Sequence, residues 1–100
     1  GTYGSVTTKT VSLSTSATTV YASAMYSSAI VIIAPWVTSA KNTAIFAVSY
    51  ANGTTSINDL TYVNKQGYMK KAWSGKNFNV TLSDSNAAGS YSVTIIDAHF

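Results

Sequence analysis

The run Ala29-Ile30-Val31-Ile32-Ile33-Ala34 is apolar at odd and even positions alike and stops at Pro35. Its β-branched content and its lack of a polar face read as a central β-strand covered on both sides. Pro35 closes it, because proline has no N–H to give to a ladder. The next apolar segment, Thr43 to Tyr50, follows the polar link Ser39-Ala40-Lys41-Asn42 and again carries bulk on both faces, Phe46, Val48 and Tyr50 against Ile45. A two-layered β-fold needs only its inner faces apolar, so these two strands hold more hydrophobic surface than one core can hide.

Working outward, the rest of the chain alternates apolar with Ser or Thr at period two. Val6 to Ser14 is a strand with Val11 and Leu13 on one side, and Thr15 to Thr19 is its connection. Val20 to Tyr26 alternates weakly and also permits a short helical turn. Asn52-Gly53 tolerates positive φ and predicts a hairpin into Ser56 to Val63, in which a parity switch at Asn58-Asp59 marks a bulge or a break. Asn64 to Gly67 and Ser74 to Asn77 are turns around a strand from Tyr68 to Trp73. Phe78, Val80 and Leu82 alternate cleanly with Asn79, Thr81 and Ser83, and Tyr91, Val93 and Ile95 share one face of a last strand. About eight short strands with no convincing helix predict an all-β fold, an antiparallel β-sandwich or jelly roll, in one domain spanning residues 1-100.

Charge is scarce. Charged residues are 9% of the chain, six Lys against three Asp, where roughly 25% is ordinary for a soluble domain. Without Arg, and with its Lys scattered, the chain lacks the basic footprint of a nucleic-acid binder. The apolar run from Ala29 to Val37 is about half of what a membrane span needs. No Cys is available for disulfides or thiolate metal sites, and oligomerisation is the usual substitute for such reinforcement. An opening Gly1-Thr2 without a signal series reads as a fragment of a longer chain.

Several of these stretches together resemble the C-terminal β-sandwich domains of bacteriophage tail fibres and tailspikes. They are Ala44-Ile45-Phe46-Ala47-Val48, the Gly-punctuated hairpins, Phe78-Asn79-Val80-Thr81-Leu82 and Tyr91-Ser92-Val93-Thr94-Ile95-Ile96. The resemblance implies a homotrimer at the distal end of a virion tail fibre, outside the cell, that binds a bacterial surface glycan or outer-surface protein. Non-enzymatic host-receptor recognition is the leading expectation, with a domain that only trimerises or helps fold the fibre, or a carbohydrate-binding module, as the alternatives. The resemblance transfers no binding residue.

Candidate sites come from the residues themselves. Tyr62, Tyr68 and Trp73 flank two turns together with Lys65, Lys70, Lys71 and Lys76. Rings that stack on sugar faces beside ammonium groups could grip an anionic glycan. The competing reading is that Trp73 and Tyr68 fill the core. Val31, Ile33, Trp36 and Ile45 are the expected subunit interface, drawn from the two doubly apolar strands. Asp97 and His99 share a strand face and could orient an imidazole, yet no G-x-S-x-G elbow supplies a nucleophile. Asp84-Ser85-Asn86 and Asn58-Asp59 offer oxygen ligands without a complete calcium-loop spacing, and such clusters ordinarily cap turns. Glycoside cleavage would have to draw its carboxylate pair from Asp59, Asp84 and Asp97. The expectation is a non-enzyme with no cofactor and no metal.

Overall fold

A computed structural model describes residues 3–35, 43–61 and 69–99 of the chain. These residues form eight strands: β1 (Tyr3–Leu13), β2 (Thr18–Ala22), β3 (Tyr26–Pro35), β4 (Ala44–Ala51), β5 (Thr54–Asp59), β6 (Met69–Ser74), β7 (Asn77–Leu82) and β8 (Gly89–His99). One sheet has five strands in the order β1-β8-β3-β4-β5, the other three in the order β2-β7-β6, and every pairing is antiparallel. The architecture is therefore a five-on-three sandwich. No helix among the described residues is long and apolar enough to cross a membrane.

The core forms where the alternating apolar sides of the two sheets meet. From the five-stranded sheet come Leu13, Val31, Ile33, Phe46, Val48, Tyr91 and Val93, and from the three-stranded sheet Val20, Tyr21, Phe78, Val80 and Leu82, all buried. Phe46 and Phe78 meet edge to face across the layers, with ring centroids 5.8 Å apart. Aromatic pairs favour this geometry because the positive ring edge faces the negative ring face.

Three sequence features acquire physical reasons here. The weak alternation after Thr19 is a β-bulge, not a helical turn: the β2–β7 register shifts between Thr19 and Tyr21, so the successive residues Val20 and Tyr21 both point inward. The Asn52-Gly53 turn joins β4 to β5 with φ of 46° and 95°, the left-handed values that let a two-residue hairpin follow the twist of its strands. The parity switch at Asn58-Asp59 falls at the end of β5, which stops at Asp59. There the Leu60 N–H donates to the Ile45 carbonyl at 2.8 Å, and Thr61 is buried with its hydroxyl accepting from the Ile45 N–H.

The depth of this core predicts a sharp contrast in urea unfolding. Phe78→Ala should cost about 3–5 kcal/mol through lost burial and a cavity. Lys70→Ala, on the wet face of β6, should stay within about 0.5 kcal/mol of the parent.

Candidate functional site

Of the proposed glycan cluster, only Lys70, Lys71, Trp73 and Lys76 are among the described residues. Tyr62, Lys65 and Tyr68 lie outside the described residues, as does Trp36. In β6 the burial alternates, so Lys70 points to solvent while Trp73 points between the sheets. Trp73 is half-buried and packs against the core, the arrangement of the competing reading. Its ring centroid stands 5.5 Å from Phe78, 5.8 Å from Tyr50 and 6.2 Å from Tyr21, and its indole N–H donates to the Ser56 carbonyl at 3.1 Å. Lys76 sits exposed in the β6–β7 turn, away from the face that carries Lys70.

The expected subunit seam shifts by one residue along β3. Val31 and Ile33 are 0% exposed, enclosed by the chain's own core, so they meet no partner; this corrects their assignment. The reason is parity, because neighbouring strand residues face opposite ways. Ile30 and Ile32 therefore hold the outward side, with Ile45 directly opposite Ile32 on β4.

That outward side is a continuous, uncharged surface. In-register neighbours across the strands give one row of Val6, Ile96, Ile30, Ala47 and Asn58, and a second of Thr8, Thr94, Ile32 and Ile45. A third row, Gly4, Ala98, Ser28, Ser49 and Ser56, is built from small residues. Val6 is 72% exposed, Ile96 44% and Ile30 38%, and Leu60 is exposed nearby just past the end of β5. Hydroxyl pairs bridge strands on this face, Thr8 with Thr94 at 3.0 Å and Ser49 with Ser56. The small residues leave a shallow hollow of about 410 Å³ over Ala47, Ser49 and Ala98, bounded by Ile30 and Ile96 on one side and Ser56 and Asn58 on the other. Sequence pattern could announce the apolar surplus, but only register shows that Val6, Ile96 and Ile30 line up.

Charged groups lie elsewhere. On the core-facing side of the five-stranded sheet, Lys9 and Asp97 help line a cleft of about 250 Å³ with Ser5, Thr7 and Tyr21. The Tyr21 hydroxyl donates to Asp97 at 2.7 Å. Burial, followed by this hydrogen bond, pushes the Tyr21 phenol up to about 12. Asp59 accepts from the Thr61 N–H at 2.9 Å and pairs with Lys71 at 3.0 Å, and Lys71 also stands over the Phe46 ring. Burial alone would raise the Asp59 carboxyl; the Thr61 hydrogen bonds and then Lys71 outweigh it and hold it near 2. Asp84 caps the short 3-10 turn Ser85–Ala87 by accepting from the Asn86 N–H. Each carboxylate thus serves its own local structure, and among the described residues no group of three or more His, Cys, Asp or Glu converges on a metal position.

What these features define is a five-on-three antiparallel sandwich with one uncharged, partly apolar sheet face. No family model and no curated protein matches the sequence. Among solved structures the chain is similar to the tailspike protein of Acinetobacter baumannii bacteriophage Fri1, a capsular polysaccharide depolymerase. The TM-score is 0.70 at 18% sequence identity, and the match covers 97% of this chain and 17% of that one. The likeness is one of fold, and the chain spans a small part of that protein's length.

The two shifted groups predict opposite pH limits. Asp59, held below its usual value of 3.8, contributes stability above that pH and loses it as pH falls toward 2. Asp59→Asn should therefore lower the urea midpoint at pH 7, by about 1 kcal/mol or less for so exposed a pair, and converge on the parent near pH 2. Tyr21, raised from 10, contributes below pH 10 and loses its share as pH climbs toward 12. Tyr21→Phe should remove from the absorbance titration a phenolate that forms at about pH 12.

Proposed function

We propose that this chain is a non-enzymatic assembly domain of a phage tail fibre or tailspike, which holds copies of itself together through the outward face of its five-stranded sheet. The observation that carries this reading is the row Val6, Ile96, Ile30 and Ala47, open to solvent on a face without a charged side chain among the described residues. Exposed sheet faces in monomeric proteins ordinarily hold Lys and Glu, which oppose association. Here Lys9, Asp59 and Asp97 all turn to the other side of their strands.

Five strands span roughly 20 Å across and about 30 Å along, or roughly 600 Å² of flat surface, about three quarters of the ~800 Å² per partner of a standard stable interface. The Ser, Thr, Ala and Ile side chains of this face are short, so a second sheet can approach closely. Ile30 and Ile96 are already more than half buried, so covering what remains contributes roughly 1 kcal/mol each, a fraction of a full isoleucine burial.

The fold shared with a tailspike protein supports the same reading, with a homotrimer as the assembly and the virion tail as its place. Recognition of a bacterial surface glycan has less support, since Lys70 and Trp73 occupy opposite faces of β6.

Light scattering and sedimentation of the purified chain test the proposal. The expected parent species is a trimer. Ile30→Lys and Ile96→Lys should each give a folded monomer, with the parent's β-sheet circular dichroism retained. A monomeric parent at micromolar concentration, or Lys variants with unchanged mass, would overturn it.

A further inference from the structure

We infer that the contact between copies is ridge into hollow: Val6 and Ile96 of one copy seat over Ala47 and Ser49 of the next. The inference rests on the self-assembly reading above and specifies how the two surfaces engage. The outward face is not uniform. Toward β1 and β8 it rises, because Val6 and Ile96 stand side by side and Val6 is the most exposed large apolar residue described, at 72%. Beyond Ile96 it sinks toward β4 and β5, because Ala98, Ser28, Ala47, Ser49 and Ser56 are small and leave the hollow of about 410 Å³, which Ile96 and Ile30 border on the ridge side.

The two features cannot satisfy each other within one chain. Val6 is on the edge strand, with β8 and β3 between it and β4. A second copy can supply what the first lacks. The floor of the hollow carries Ala methyls and the Ser49 and Ser56 hydroxyls, which are bonded to each other, so apolar side chains set over that part leave water without stranding those two groups. Ridge against ridge would hold the small-residue rows apart and leave voids, which forfeit dispersion contacts. Neither side carries charge, so fit of shape decides the register.

The chain has no native cysteine, so introduced thiols report contacts without background. Val6→Cys and Ser56→Cys proteins, prepared singly, mixed and as the double variant, are treated with a short bis-maleimide after circular dichroism and light scattering confirm parental fold and mass. Covalent dimers are expected in the mixture and the double variant, and not in either single variant. Ala47→Phe, which fills the hollow, should weaken association about tenfold or more, in line with an ordinary overpacking penalty. Cross-linking of Val6→Cys to itself, or an oligomer of parental mass with no Val6–Ser56 product, would overturn the ridge-into-hollow contact while leaving self-assembly standing. A monomeric parent would overturn both.

Discussion

Phe46 against Phe78 is the contact on which the sandwich turns, because it joins β4 of the five-stranded sheet to β7, the middle strand of its three-stranded cover. Around this pair the inward residues of β3, β4, β7 and β8 reach essentially zero exposure. Once they face inward, period-two alternation leaves no freedom for their neighbours. Ile30, Ile32, Ile45 and Ala47 must face out, whatever their affinity for water. The exposed apolar row is therefore a direct consequence of filling the core with strands that are hydrophobic on both sides.

Unequal sheet width also organises the polar chemistry. Three strands cannot cover five, so the far part of β1 overhangs, and the cleft that holds Lys9, Tyr21 and Asp97 opens beneath it. At the opposite edge Lys71 reaches from β6 to Asp59 just past the end of the core, where water still screens the pair. Among the described residues these ionic groups stand away from the outer face of the five-stranded sheet, which is left to hydroxyls and methyls.

Much of the strand plan was legible because it depends on local rules. Pro35 ends β3, Asn52-Gly53 makes the hairpin, and the parity switch at Asn58-Asp59 is the end of β5. The bulge at Val20 escaped local reading because two adjacent inward residues look like a lost pattern until the partner strand shows the register shift. Trp73 was ambiguous for a related reason: an aromatic beside lysines reads alike whether its strand turns it toward solvent or core. Its partners Tyr21, Tyr50 and Phe78 are distant in sequence and could not be inferred.

By itself the sequence determined the class of fold, the shortage of charge and the presence of more apolar strand surface than one core can absorb, since composition and alternation are properties of the chain alone. Tertiary structure decided which residues carry that surplus. It buried Val31 and Ile33, exposed Ile30 and aligned it with Ile96 and Val6 from strands far apart in sequence. The physical reason is that pairing register, set by the packing of two sheets across a shared core, assigns each side of a doubly apolar strand to the interior or to the surface, and no local pattern distinguishes the two.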